Sequence, residues 1–171
     1  MLHAARRLSR LFLIAAFLLG PLLHVPLARA ATTAAPSPEL KSLQGMVDNM
    51  GYTTTLSPTA GHFYISSDNK NVVSIDFALS DDKSYIWIYT QIETYTAEQV
   101  AQLPLMKLLE ANDNSPEFFS INNDSGKISL YVQIAFPAQG ATPKTLRTII
   151  DHIGSTIDDN AVLWDPAQWK K

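Results

Sequence analysis

The stretch Tyr85-Ile86-Trp87-Ile88-Tyr89-Thr90-Gln91-Ile92 decides how the rest of the chain is read. Successive side chains of a pleated strand point to opposite faces, so Ile86, Ile88 and Ile92 share one face and Tyr85, Trp87, Tyr89 and Gln91 the other. The first face is aliphatic and reads as the floor of a core. The second is aromatic with polar tips and is the surface that invites a functional reading.

Outward from this strand the neighbours are short and joined by tight turns. Thr53 to Leu56 is rich in β-branched threonine, and Ser57 to Gly61 is a turn. His62 to Ser66 alternates with Phe63 and Ile65 inward. After the turn Asp68 to Asn71, Val72 to Leu79 puts Val73, Ile75, Phe77 and Leu79 on one face and Ser74 and Asp76 on the other. Ser80 to Lys83 leads into the opening strand, which is expected to run to about Glu93. Connections this short allow only an antiparallel meander.

A second hairpin is expected from Glu117 to Ile121 and from Lys127 to Phe136, around the turn Asn122 to Gly126. Its longer strand directs Ile128, Leu130, Val132, Ile134 and Phe136 one way and Ser129, Tyr131 and Gln133 the other, repeating the pattern of the opening stretch.

Helices account for the remainder. Ser37-Pro38 is an N-cap followed by proline in the first turn, Leu40, Leu43, Met46, Val47 and Met50 recur at helical spacing, and Gly51 closes the segment. Thr96 and Gln99 form a capping box, but Pro104 interrupts the helix they start, so a short turn and a second segment to about Ala111 are expected. Thr142-Pro143 opens the last helix, made amphipathic by Leu146, Ile149, Ile150, Ile153 and Ile157. The order α-β-β-β-β-α-β-β-α describes an α+β fold, an antiparallel sheet of meander plus hairpin with helices packed mainly on one face.

Residues 1–30 read as a secretory signal peptide, with a basic start (Arg6, Arg7, Arg10), an apolar run Leu11 to Leu23, and the small-x-small site Ala28-Arg29-Ala30. The alternative, an uncleaved anchor, needs about 20 uninterrupted apolar residues, and Gly20, Pro21, His24 and Pro26 interrupt the run. Residues 31–37 read as a flexible tail and 38–171 as one domain in the periplasm or secreted. Loss of Arg6, Arg7, Arg10 and Arg29 with the leader leaves nine basic residues against 16 acidic ones, a net charge of −7. Such a chain is a poor partner for nucleic acid or anionic lipid. Zero cysteines exclude a disulfide scaffold and a cysteine nucleophile.

Leu108-Leu109-Glu110-Ala111-Asn112, Phe118-Phe119-Ser120-Ile121, the turn Asp124-Ser125-Gly126-Lys127, the strand Ile128 to Ile134 and the closing helix resemble the YbjN-like family, whose fold is that of the type III secretion chaperones. The resemblance covers Glu39 to about Trp164. It implies a small acidic domain that binds other proteins, often as a homodimer in the chaperone branch, and no catalytic residues to carry over. The signal peptide departs from the chaperone branch, which works in the cytosol.

Chemistry-bearing motifs are few. His62 and His152 stand alone on a strand and a helix and read as surface or rim residues; no His-x-x-x-His, Gly-x-Ser-x-Gly or phosphate-binding glycine loop occurs. Asp81-Asp82, Asp158-Asp159 and Asn122 to Gly126 read as turn residues rather than metal ligands, since a calcium loop with Gly126 at its sixth place would need an oxygen ligand at Ile121 and a glutamate at Val132. Asn123-Asp124-Ser125 also spells a glycosylation acceptor. Neither a cofactor nor a metal is expected, and the chain reads as a non-enzymatic protein-binding domain. Its binding face would be Tyr64, Tyr85, Trp87, Tyr89, Tyr131 and Gln133, with Asp76 and His62 nearby. The same aromatics also fit strand formers stacking across neighbours, or a second core beneath helices on both faces. The alternative function is a small-molecule or hydrolytic site between the sheet and the loop 137–142.

Overall fold

The computed structural model describes residues 35–59 and 61–169; the leader 1–30 and residues 31–34 of the tail lie outside them. Six strands form an antiparallel sheet: β1 (Thr54–Leu56), β2 (His62–Ser66), β3 (Ser74–Leu79), β4 (Tyr85–Tyr95), β5 (Phe118–Asp124) and β6 (Lys127–Pro137). Their spatial order is β1-β2-β3-β4-β6-β5, so the two 11-residue strands β4 and β6 pair at the centre and β5 lies at an open edge. The helices are α1 (Pro38–Asn49), α2 (Ala97–Val100), α3 (Leu105–Ala111), α4 (Pro143–Asp159) and α5 (Ala161–Trp164). The expected α+β order holds.

Local chemistry sets the helix ends. The Ser37 side chain accepts from the Leu40 N–H at 3.2 Å, and Gly51 takes φ +94° just beyond α1. Thr96 and Gln99 cap α2 reciprocally, Pro104 separates it from α3, and Thr142 and Thr145 form the corresponding box at α4.

The core lies between one face of the sheet and the helices. Phe63, Phe77, Ile88 and Ile134 stand in one cross-strand row, with the Phe63 and Phe77 rings stacked at 4.9 Å and 4°. Leu40, Leu43 and Val47 of α1 and Leu146, Ile149, Ile150, Ile153 and Ile157 of α4 close over this face. Among the described residues no helix is long and apolar enough to cross a membrane.

Four details differ from the sequence reading. Val73, expected inward, is 87% exposed and Val72 is buried in its place. The reason is the β2–β3 turn: the Val72 N–H bonds the Asn69 carbonyl at 3.0 Å and β3 begins only at Ser74, so strict alternation stops before Val73. Strand β4 extends to Tyr95, and its register against β6 slips by one residue between Gln91 and Glu93. Such a bulge moves the side chains beyond it to the opposite face. Thr90, ahead of the bulge, takes the inward place after Ile88 by plain alternation; Ile92, at the bulge, is only partly buried, and Tyr95 beyond it turns into the core, where its hydroxyl donates to the Trp164 carbonyl at 2.6 Å. The second hairpin does not turn over five residues: β5 runs through Asp124, opposite Lys127, and Ser125 (φ +52°) with Gly126 (φ +86°) make a two-residue turn. Two successive left-handed residues match the twist of the flanking strands. Glu117, expected to begin the strand, precedes it and is buried.

Candidate functional site

The outward face of the sheet carries a row that crosses all six strands: Thr55, Tyr64, Asp76, Tyr89, Gln133 and Phe118. The adjoining row holds His62, Ala78, Trp87 and Ala135, and the row on the other side holds Gln91, Tyr131 and Ser120. Their shared face follows from the period of two on each strand. The helices pack on the opposite face, so the outward aromatics are not a second core: Tyr85 and Trp87 are exposed and the others half-buried.

This face is dished. An open concavity of about 820 Å³ is lined by Trp87, Tyr89, Tyr131 and Gln133 from the central strands, by His62 and the stretch 78–81 on one side, and by Ser120, Ile121 and Asn122 of β5 on the other. Four of the six expected residues thus meet in one place. Tyr64 lies in the same row as Tyr89 but outside the concavity, and Tyr85 sits two residues beyond Trp87, opposite Pro137 at the sheet end. The β5 wall was missed in the sequence. The alternation of Phe119 with Ser120 and Asn122 carries that signal, but it becomes readable only once the turn is placed at Ser125-Gly126.

Hydrogen bonds hold several of the rings. The Tyr89 hydroxyl lies 2.8 Å from His62 Nδ1, with the two rings edge to face at 6.2 Å. Tyr131 donates to Gln91 Oε1 at 2.9 Å, Gln91 donates onward to Thr94 Oγ1 at 2.9 Å, and Thr94 meets Ser129 at 3.1 Å. Among the described residues the Trp87 indole N–H and the Gln133 amide have no protein partner, which leaves donors and an acceptor for a ligand. Burial, then the neighbouring Asp76 carboxylate and the Tyr131 phenol, push the Tyr89 phenol up to about 12. That is the wrong direction for an activated nucleophile or a base at neutral pH.

Three further hollows flank the sheet. Leu105, Leu108 and Leu109 of α3, with Phe119, Ile121 and Leu130, line an apolar groove of about 360 Å³ beside the open edge of β5. Leu105, Leu109 and Ile121 are exposed there, and Met106 of the same helix is exposed as well. A second hollow of about 360 Å³ lies between α4 and the β2–β3 turn, where Asn69 and Asn71 both donate to Asp158, at 3.0 and 2.7 Å. The third, of about 300 Å³, includes Ser115 and His152; beneath it Glu117, 1% exposed, accepts from the Ser115 hydroxyl and keeps its other oxygen 3.8 Å from His152 Nδ1. None of these four hollows is lined by residues 137–142. Among the described residues no group of three or more His, Asp or Glu side chains is arranged to hold a metal ion. Asp82 instead accepts from the Ser80 and Ser84 hydroxyls and the Ser84 N–H, which hold its carboxyl down at about 2.

No family model matches the chain, and no curated protein does. Solved structures do. YbjN from E. coli matches at a TM-score of 0.57 and 15% identity over 72% of this chain and 91% of its own. The HopA1–SchA chaperone–effector complex matches at 0.52 and 12% identity over 73% and 97%, and the ExsC–ExsE complex at 0.43 and 17% identity over 73% and 89%. The fold is therefore YbjN-like and chaperone-like, as the resemblance in the sequence implied.

Proposed function

We propose that this chain is an exported, non-enzymatic domain that binds another protein through the concave aromatic face of its sheet. The observation that carries the reading is the contrast between the two faces: helices cover one, while the other presents Trp87, Tyr89 and Tyr131 around an open concavity with unspent hydrogen-bonding groups. Tyrosine and tryptophan combine large apolar area with a polar tip, which is why they dominate binding hot spots. A fold shared with a chain of a chaperone–effector complex supports a protein as the ligand. Export rests on the basic, apolar and small-x-small pattern of residues 1–30.

Self-association uses a different surface in this reading. The groove between α3 and β5 exposes Leu105 and Leu109 beside Ile121 on the edge strand of the sheet, and a second copy would cover both. The test separates the two surfaces. Wild type, Trp87→Ala and Leu109→Asp are compared by light scattering and by pull-down from the envelope fraction. Trp87→Ala should lose a captured protein and keep the oligomeric state; Leu109→Asp should do the reverse. Identical captured proteins for wild type and Trp87→Ala overturn the binding face. N-terminal sequencing of the exported protein should begin at Ala31, and a chain retaining Met1 overturns the cleaved leader.

A further inference from the structure

Asp76 stands near the middle of the aromatic face, directly across from Tyr64 on β2 and from Tyr89 on β4. It is half-buried, and among the described residues its one side-chain hydrogen bond is a long one, 3.5 Å from the Ser74 hydroxyl. Aspartate is a poor strand former, so neither β-propensity nor packing explains its presence there. Withdrawal from water raises its pKa, and the Ser74 bond and nearby His62 oppose that rise.

Among the described residues no fixed cation answers this carboxylate. Of the described strand positions on the aromatic face only Lys127 is a lysine or arginine. It stands opposite Asp124 at the hairpin tip, six residues along β6 from Gln133, or roughly 20 Å at about 3.3 Å per residue. Lys83, in the turn after β3, reaches the helix layer and pairs with Glu39 of α1 at 2.8 Å. Lys70 belongs to the turn that Asn69 and Asn71 tie to Asp158 of α4. His62, the nearest titratable base, has Nδ1 engaged by the Tyr89 hydroxyl. Across the described residues seven lysines and arginines face all 16 acidic residues of the chain.

Aromatic residues neighbour the carboxylate. Tyr64 and Tyr89 flank it, Trp87 is two residues from Tyr89 on the same face, and the Tyr131 ring lies 6.3 Å from that of Tyr89. An aromatic ring is negative over its face and attracts a cation placed there. Asp76 itself stands just outside the lining of the concavity, next to Tyr89, and Asp81 supplies the carboxylate on its rim. From this charge complementarity we infer that the aromatic face receives a cationic side chain, a lysine or arginine of the partner protein, held over the rings with its charge directed at Asp76. The inference rests on the reading of this face as a protein-binding surface and names the chemistry of its partner. The negative field of the whole domain speeds the approach of such a segment.

The test titrates the purified protein with a short peptide carrying two arginines and with the same peptide carrying citrulline, the uncharged near-isostere, at both places. Calorimetry reads the affinity, and the Trp87 indole resonance, assigned with Trp87→Phe, reads the place. The arginine peptide should bind at least about tenfold more tightly than the citrulline peptide, and the gap should close as salt rises from about 50 to about 300 mM, where screening shortens the reach of the charge. Asp76→Asn should bring the arginine peptide to the citrulline level. Equal affinity of the two peptides for the wild type, no binding of the arginine peptide at millimolar concentration, or an unchanged affinity in Asp76→Asn overturns the inference. The first comparison needs no variant, so a folding defect in Asp76→Asn cannot mask the result. If the peptides bind equally and Trp87→Ala loses both, the face binds protein without a cation; if Trp87→Ala loses neither, the binding face falls as well.

Discussion

Ile88 and Trp87 are chain neighbours on opposite faces of β4, and truncating each to alanine measures the division of the sheet directly. Ile88 is 0% exposed, in register with Phe77 on one side and Ile134 on the other. Ile88→Ala removes three buried carbon groups at about 0.8 kcal/mol each, a floor of roughly 2.4 kcal/mol. The cavity left among stacked neighbours raises the loss toward the upper end of about 2 to 5 kcal/mol. Trp87 is 36% exposed and lies between Ala78 and Ala135, so Trp87→Ala gives up cross-strand contact of about 0.2 to 1 kcal/mol. In urea, with a slope of about 1 to 3 kcal/mol per M, Ile88→Ala should move the midpoint down by about 1 to 2 M and Trp87→Ala by less than about 0.5 M. Circular dichroism follows both transitions. Equal shifts, or a larger one for Trp87→Ala, would refute the assignment of the aliphatic face to the core and the aromatic face to solvent.

Tyr95→Phe should lower stability by about 1 kcal/mol, because the buried Trp164 carbonyl loses the hydroxyl that now donates to it; an unchanged urea midpoint would show that the bulge in β4 does not deliver Tyr95 to that site. The phenol of Tyr89, up to about 12, makes a stabilising contribution that is complete below its unfolded value near 10 and is lost as pH climbs from there to about 12. Titration at 295 nm should show this late phenol, and Tyr89→Phe should remove it. Burial raises the pKa of Asp76, so the protonated form is the one the fold favours. Asp76→Asn should accordingly raise the melting temperature at pH 7, and the gain should vanish below about pH 3.8, where the unfolded chain is protonated too; a lower melting temperature at pH 7 would mean that the carboxylate already has a partner within the chain.

The alternation in Tyr85 to Ile88 and in Leu130 to Ile134 was readable because one side of each stretch is buried, and a period-two pattern under that constraint has only one register. The helix caps at Ser37, Thr96 and Thr142 were readable because capping depends on residues within one turn. What escaped depends on pairing between distant segments. Nothing local says that Val72 rather than Val73 turns inward; the turn that decides it is held from α4 by Asp158. The bulge at Gln91 to Glu93 exists only relative to β6, and without it Tyr95 cannot be assigned to the core. The same holds for the site: Trp87, Tyr89, Tyr131 and Gln133 could be grouped from parity alone, but the β5 wall of the concavity needed the order β4-β6-β5 and the two-residue turn at Ser125-Gly126.

Whether the aromatics of this face are more than good strand formers turns on their polar neighbours. Tyr64, Trp87, Tyr89 and Tyr131 all favour strands, and their cross-strand contacts would explain them on any half-exposed sheet. Asp76 has no such explanation. It disfavours the strand, it is drawn out of water between two tyrosines, and it raises the pKa of Tyr89 beside it. Replacing it by serine or threonine, residues already present on this face at Ser74 and Thr55, would remove the charge and retain the pleat. A position that weakens the fold on its own account gains its use from what binds there. Thus the carboxylate, rather than the larger rings around it, separates a surface built to receive a ligand from one that is merely well packed.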